Sequence, residues 1–299
     1  MELVVVNGAS NISRSIVRGL TSQGTFRKIR LLDFRPYNAS VYAFQREMAS
    51  KGIEVEKHQA NSGSSLEIAL EGANKVVYFT HNYTSMTSCK NNFLLGTAKL
   101  AKKHGVSSLT AVCPVEHDMV YNENLKTSWI EQRREAEKEA LEANPKLTIL
   151  NTDLIYGQDP THMIHFMAQC ALAGKIHREF FFTKEANFKP IHHDDVTRAV
   201  AHAMEHPIHD QFKVRGEEKI SIKALLNLIE QSCDKTPGST RALTKIPFLK
   251  LSEFFEEFFV GITHDRNMRL LLQHLEDHPM DCPCPGTDFW EKTGQKRQV

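Results

Sequence analysis

Short apolar runs alternate with segments of helical periodicity through the first half of the chain. Continuous apolar runs are typical of strands buried on both faces of a sheet. They predict strands over residues 3–6, 29–34, 53–58, 75–80, 107–113 and 147–150. The intervening segments predict helices over residues 11–23, 38–51, 64–72, 85–105 and 128–143. Because a helix commonly connects one parallel strand to the next, this alternation predicts a doubly wound α/β domain with a parallel sheet.

The regular alternation of predicted strands and helices ends after about residue 157. We predict a doubly wound domain over 1–157 and a smaller, mostly helical lobe with an irregular tail over 158–299. Strand pieces between residues 189 and 215 are expected to return to the first domain. Ligands of open α/β sheets bind beyond the carboxyl ends of the strands, so the two lobes should meet there. Helices in the second lobe are predicted over residues 160–174, 194–206, 220–233, 247–260 and 263–277.

Composition excludes several classes of protein. Of the 299 residues, 41% are hydrophobic and 24% are charged, which is typical of a globular chain, and the net charge of +1 gives no general attraction to nucleic acid. No apolar run approaches the length of a membrane-spanning helix. Six scattered cysteines fit a reducing compartment.

The segment between Glu2 and Asp33 contains basic and serine residues but no acid, a composition shared by a basic first helix and by mitochondrial targeting segments.

The first strand leads into a turn with the sequence Asn7-Gly8-Ala9-Ser10-Asn11-Ile12, and a helix follows. In this setting the pyrophosphate of a dinucleotide lies on the amino terminus of the helix. Such turns usually contain three glycines, of which only Gly8 is present here. Because Asn11 tolerates a left-handed conformation, the motif is degraded rather than erased. We predict that Gly8, Ser10, Asn11 and Ile12 contact the pyrophosphate.

The end of the second strand carries residues of opposite charge. An acid at Asp33 would hold the hydroxyls of the adenosine ribose, whereas Arg35 would pair with a 2′-phosphate. The local chemistry therefore leaves NAD and NADP both open, and an empty, vestigial pocket is a further interpretation.

Four segments resemble those of the extended, atypical short-chain dehydrogenase/reductase superfamily. They are the opening Gly8-Ala9-Ser10 and residues 66–78, 155–157 and 190–196, and they occur in the superfamily's order. The resemblance implies a Rossmann-like fold, and it places Asn61 near the adenine, where the superfamily usually has aspartate.

The end of the chain is similar to a narrower family, the accessory Rossmann-fold subunits of mitochondrial respiratory complex I (alpha-subcomplex subunit nine). The similarity lies in Ile246-Pro247-Phe248, an aromatic helix with Phe254, Phe255, Phe258 and Phe259, a charged helix from Thr263, and Gly286-Thr287-Asp288-Phe289. It implies a structural NADPH, a place on the matrix side of the inner membrane without a transmembrane helix, and partners among the other subunits of the complex.

The residues that the superfamily uses for hydride chemistry are replaced. The tyrosine and lysine positions carry Trp129 and Arg133, and the hydroxyl position after strand five reads Cys113-Pro114. Indole has no proton that titrates near neutral pH, and an arginine does not give up its proton, although Arg133 can still bind a ribose. We therefore expect no catalytic residues and no enzyme activity.

Two other groups of residues have less specific interpretations. The run His192-His193-Asp194-Asp195 is expected to begin a helix with Asp194 as its N-cap, rather than to bind metal, because adjacent side chains should diverge. The aromatic helix over 246–260 is either core beneath the small lobe or a face for partner subunits or lipid headgroups.

These observations favour a non-catalytic, nucleotide-binding accessory subunit of complex I that supports its assembly or stability. The alternatives are a free NADP(H)-sensing regulator of the NmrA-like type and an active NAD(P)-dependent reductase or epimerase with displaced catalytic groups.

Overall fold

The computed structural model describes residues 1–22, 24–33, 37–60, 63–80, 93–114, 134–157, 164, 168, 171–172, 174–177, 187–239, 241–243 and 286–297. Within them an eight-stranded sheet forms the centre of the protein. Its strands, numbered along the chain, are β1 (Glu2–Val6), β2 (Lys28–Asp33), β3 (Glu54–Gln59), β4 (Lys75–Phe79), β5 (Ser108–Pro114), β6 (Leu147–Thr152), β11 (Gln211–Val214) and β14 (Thr287–Asp288).

The remaining strands form three two-stranded pairs. They are β7 (Ile155–Tyr156) with β10 (Ile191–His192), β9 (Asn187–Phe188) with β12 (Ile220–Ser221), and β8 (Lys175–His177) with β13 (Arg241–Leu243).

The order of the large sheet is β14-β11-β6-β5-β4-β1-β2-β3, and every neighbouring pair is parallel. The chain therefore winds outward from β1 in one direction through β3, and then in the other direction from β4. This reversal between β1 and β4 is the topological switch point at which α/β proteins bind their ligands. The predicted doubly wound, Rossmann-like α/β fold is confirmed.

Helices cover both faces of the sheet. The helices are α1 (Asn11–Thr21), α2 (Ala39–Ser50), α3 (Gly63–Leu70), α4 (Phe93–Lys103), α5 (134–143), α6 (His193–Glu205), α7 (Ile222–Ser232) and α8 (Phe289–Thr293). Leu3 and Val5 of β1 face a core that contains side chains of α1, α2 and α6, whereas Val4 and Val6 face a second core with α3, α4 and α5. This alternation is expected for a strand whose successive side chains point to opposite faces.

A small residue sets the distance between α1 and α6. A Cβ atom on Gly19 would lie only 2.5 Å from Cγ2 of Thr197. The two helices can therefore pack this closely only because Gly19 has no side chain. Val196 and Val200 of α6 belong to the same buried cluster as Ile16 of α1. The second half of the chain therefore contributes to the core beside the candidate ligand site.

The described part of the C-terminal tail is ordered, in contrast to the predicted irregular structure. Thr287–Asp288 pairs with β11 as an eighth parallel strand, and the short helix α8 follows. Phe289 and Trp290 are buried against the sheet, which explains the regular structure: the two aromatic rings anchor the segment. The predicted helices over 247–260 and 263–277 lie outside the described residues, and the division into two domains stays a prediction. In the described ranges, no helix combines the length and apolar character needed to cross a membrane.

Candidate dinucleotide-binding site

The turn between β1 and α1 lies at the switch point of the sheet. Asn7, which directly follows β1 and has a positive φ of 60°, donates from Nδ2 to the carbonyl oxygen of Phe79 at the end of β4, at 2.6 Å. This contact connects the two strands that flank the switch point. Asn7 Oδ1 is buried and has no hydrogen-bond partner among the described residues. A buried acceptor without a partner is costly, so this oxygen is a candidate contact for a bound molecule or a water.

Gly8 allows the turn to pack tightly on the neighbouring strand. Its missing Cβ would lie 2.9 Å from Leu31 Cδ2 and 3.2 Å from the carbonyl oxygen of Val5. The amide groups of Asn7 and Gly8 both donate to the carbonyl oxygen of Leu32, at 2.7 and 3.3 Å. The turn is therefore fastened to the end of β2.

Ser10 is the N-cap of α1. Its Oγ accepts a hydrogen bond from the backbone N–H of Ser13 at 3.1 Å, as a serine in this position commonly does. The first N–H groups of a helix lack partners within the helix, and those of Asn11 and Ile12 precede the capped one. The first turn of α1 contains no acidic residue. This helix terminus can therefore accept an anion without repulsion from its own side chains.

Arg14, which the sequence analysis did not select, is a further component of the site. It is only 4% exposed, and its guanidinium donates to the carbonyl oxygen of Ala9, to Asn11 Oδ1 and to Ser40 Oγ. Ser40 lies in the first turn of α2, so the positive charge lies between the amino termini of two helices. The absence of acids from this part of the sequence was the signal that could have identified Arg14.

Asp33 supports the turn. It is fully buried, and its Oδ2 accepts a hydrogen bond of 2.9 Å from the backbone N–H of Ala9. The predicted contact with the adenosine ribose stays a prediction.

Tyr37 connects β2 to β3 close to Asp33. Its hydroxyl oxygen lies 2.7 Å from the carbonyl oxygens of both Leu31 and His58, which share its single proton. Burial raises the pKa of Tyr37 well above its ordinary value, and the negative charge of Asp33 acts in the same direction. The tyrosine therefore stays neutral and rigid beside the site.

The catalytic positions are only partly described. Cys113, at the position of the superfamily's hydroxyl, is 1% exposed near the end of β5 and opposite Asn151 of β6. Trp129 and Arg133 lie outside the described residues, as do Arg35 and Asn61.

The structure corrects two expectations about the segment at the start of α6. The N-cap is His192 rather than Asp194: Nδ1 of His192 accepts from the Asp194 N–H, at 3.4 Å. The side chains of His192, His193 and Asp194 also converge instead of diverging, with one potential metal-ligand atom of each within 4.8 Å of the others. The reason is the backbone, which changes from extended at His192 to helical at His193 and so turns successive side chains toward one another.

No protein-family model matches the chain, and no curated protein matches it. Solved structures do resemble it. The dTDP-glucose 4,6-dehydratase DesIV of Streptomyces venezuelae, solved with NAD and TYD bound, has a TM-score of 0.66 at 13% identity, over 93% of this chain and 98% of the other. The triphenylmethane reductase of Citrobacter sp., solved with NADP(H), has a TM-score of 0.66 at 11% identity, over 100% of this chain and 97% of the other.

A dTDP-glucose 4,6-dehydratase of Bacillus anthracis in complex with NAD has a TM-score of 0.63 at 16% identity, over 98% of this chain and 97% of the other. At these identities the similarities are evidence for the fold alone. The chain therefore has the Rossmann-like fold that its resemblance to the short-chain dehydrogenase/reductase superfamily implied.

Proposed function

We propose that this chain is a non-catalytic accessory subunit of mitochondrial complex I that holds a nicotinamide dinucleotide as a structural ligand. The main support for nucleotide binding is the turn over residues 7–14. It lies where the strand order of the sheet reverses, and the helix that follows has an N-cap and no acidic residue in its first turn. The similarity of the chain's end to the accessory subunit family supports the complex I part.

The residues of the turn fit a pyrophosphate. The N–H groups of Asn11 and Ile12 would bind its oxygens, and Gly8 would let the backbone approach them. Arg14 would supply a positive charge beside the same oxygens, because its guanidinium already contacts Ala9 and Asn11 in the turn. The unpartnered Asn7 Oδ1 would accept a hydrogen bond from the nucleotide or from a water that accompanies it.

Arg14 also favours NADP(H) over NAD(H). Its guanidinium reaches Ser40 in the first turn of α2, at 2.9 Å, near the end of β2 where the adenosine ribose of a dinucleotide would lie. A 2′-phosphate there would be attracted by the Arg14 guanidinium and by the partial positive charge at the amino terminus of α2. The structurally similar reductase of Citrobacter was solved with NADP(H), whereas the structurally similar dehydratases were solved with NAD. NADPH is therefore the proposed ligand.

A nicotinamide cofactor supplies a hydride when an enzyme uses it, but the positions at which the superfamily carries its catalytic groups hold other residues in this chain. Trp129 and Arg133 replace the tyrosine and lysine, and Cys113 offers no hydroxyl. The proposed role of the nucleotide is to stabilise the native state, since a ligand that binds only the folded chain adds to its free energy of unfolding. The chain would act on the matrix side of the inner membrane, through other subunits and through lipid headgroups at the 246–260 helix.

Native gel electrophoresis of mild-detergent extracts from the organism's own cells, with immunoblotting, tests the proposal. We expect the chain to migrate with a band that oxidises NADH and is far larger than the 34.0 kDa chain. Alkaline extraction of the purified complex, which preserves reduced nicotinamides, followed by chromatography should then release NADPH from wild type, and less of it from an Arg14→Gln variant. Migration as a small, free protein would overturn the proposal that the chain is a subunit of complex I.

A second candidate is a free NADP(H)-sensing regulator of the NmrA-like type. It is favoured by the similarity to the NADP(H)-bound reductase, which extends over the whole chain. This candidate predicts a small native species whose NADP(H) exchanges readily, whereas a structural cofactor should stay bound through purification.

A further inference from the structure

We propose that His192, His193 and Asp194 form a binding site for a divalent metal ion of the zinc class. The site lies where β10 ends and α6 begins, and it uses none of the residues assigned above to the nucleotide. Imidazole nitrogens together with a carboxylate are a donor set that suits zinc. Three protein ligands would leave a fourth position open to water.

The two imidazoles present one nitrogen each to the same carboxylate. His193 Nε2 lies 3.2 Å from Asp194 Oδ1, and His192 Nδ1 lies 3.5 Å from Asp194 Oδ2. Zinc bonds of about 2.0–2.1 Å in a tetrahedron require neighbouring donor atoms to be about 3.3–3.4 Å apart. Each imidazole nitrogen is therefore close to the required spacing from one of the two carboxylate oxygens. One ligand atom from each of the three residues already lies within 4.8 Å of the others, so side-chain rotations of about 1 Å can bring both nitrogens and one oxygen around a single ion.

Gly157 provides the space for both imidazole rings. It follows β7 with a φ of +129°, and a Cβ on it would lie 2.0 Å from His193 Nδ1 and 3.1 Å from His192 Nε2. The nitrogens on this side of the rings are thus held against the glycine, and the opposite nitrogens face Asp194. His193 Nδ1 is buried without a hydrogen-bond partner in the described part of the chain, so the packing rather than a hydrogen bond orients this ring.

Existing interactions do not occupy the donor atoms strongly. The cap from His192 Nδ1 to the Asp194 N–H is long, at 3.4 Å, and can be exchanged for a metal bond at little cost. Arg198, the nearby cation on α6, forms an ion pair with Asp195 and also lies within electrostatic range of Asp194, without a salt bridge to it. The partial positive charge at the amino terminus of a helix repels a cation, and the negative charge of Asp194 offsets this repulsion.

Calorimetric titration of the full chain with Zn²⁺ tests the site. We expect one ion per chain in wild type, and an affinity reduced by about tenfold or more in His193→Ala and in Asp194→Asn. Co²⁺ in place of Zn²⁺ should give the intense visible bands of a tetrahedral complex in wild type and lose them in both variants. The matched controls are His206→Ala and His209→Ala, exposed histidines at and beyond the end of α6, which should bind Zn²⁺ like wild type.

Asp194→Asn is the decisive variant if His193→Ala does not fold, since the Asp194 side chain is 62% exposed and its removal should leave the fold intact. Absence of Zn²⁺ binding by the wild type would overturn the proposal. Equal losses of affinity in the His206→Ala and Asp194→Asn variants would overturn it as well.

Discussion

The carboxylate of Asp33 accepts a hydrogen bond of 2.9 Å from the backbone N–H of Ala9, so the last residue of β2 holds the turn that follows β1. The carboxylate is fully buried, and the turn leads directly into the amino terminus of α1. A residue expected to bind the ribose thus also preorganises the segment expected to bind the pyrophosphate. The geometry of the candidate site therefore depends on a contact made before any nucleotide is present.

Replacing Asp33 with alanine should lower the free energy of unfolding by about 1.5–3 kcal/mol, because a charged acceptor is lost and the Ala9 N–H loses its partner. Urea unfolding measures the change, and it should be accompanied by weaker binding of NADPH. Asp33→Asn is the matched control: it keeps an oxygen that can accept from Ala9, so its loss of stability should be smaller. An Asp33→Ala variant that unfolds at the wild-type urea concentration would contradict this role.

Gly8→Ala should destabilise the protein by about 1–3 kcal/mol through overpacking. The added Cβ would lie 2.9 Å from Cδ2 of Leu31, a side chain that is itself fully buried. Gly96→Ala, within α4, is the control, because no atom of the described residues lies within 4 Å of its Cβ position. There the substitution should stabilise by about 0.5–1 kcal/mol, as alanine favours a helix. Thermal unfolding of the two variants should therefore show shifts of opposite sign.

The central sheet could be predicted from the sequence because its strands are continuous apolar runs, which carry their own signal. The two-residue strand Thr287–Asp288 could not, since it has too few residues to show a period and depends on the neighbouring aromatic anchors. The convergence of His192, His193 and Asp194 was also missed, because it follows from a change of backbone dihedrals between two residues. Likewise, the hydrogen bond between Ala9 and Asp33 was not predicted, because the two residues are 24 positions apart and meet only when the turn after β1 packs against the end of β2.

The C-terminal segment should contribute strongly to stability through Trp290. This side chain is 6% exposed, its Nε1 donates to the carbonyl oxygen of Arg215 at 3.2 Å, and the Arg297 guanidinium lies 5.6 Å from the centre of its ring. Trp290→Ala should therefore cost about 3–5 kcal/mol. Limited proteolysis should cleave the variant first near its C terminus, because α8 would lose its anchor.

Two controls separate the anchor from a general effect of mutation in this segment. Trp290→Phe keeps the aromatic packing but loses the hydrogen bond, so it should retain most of the stability. Lys292→Ala, at an exposed position of the same helix, should match wild type. If Trp290→Ala is no more sensitive to protease than Lys292→Ala, the segment is not anchored through the indole.

Acid should loosen the contact between α6 and α8 through His202. The imidazole lies against the ring of Phe289, at 5.7 Å, and against His206, at 4.9 Å. Burial lowers the pKa of His202 below its ordinary value, the positive charge of His206 lowers it further, and Glu205 opposes the shift. The folded chain therefore binds fewer protons at this position than the unfolded chain does.

It follows that the free energy of unfolding decreases as the pH falls through about 6.5, the pKa of an unperturbed histidine. Above that value both states are neutral at His202 and the effect is absent. A His202→Gln variant should lose this part of the pH dependence, and Tm measured between about pH 7.5 and 5.5 should fall less than in wild type. The exposed His209→Gln variant should keep the wild-type profile. A Tm profile for His202→Gln that parallels wild type would place the acid sensitivity at another group.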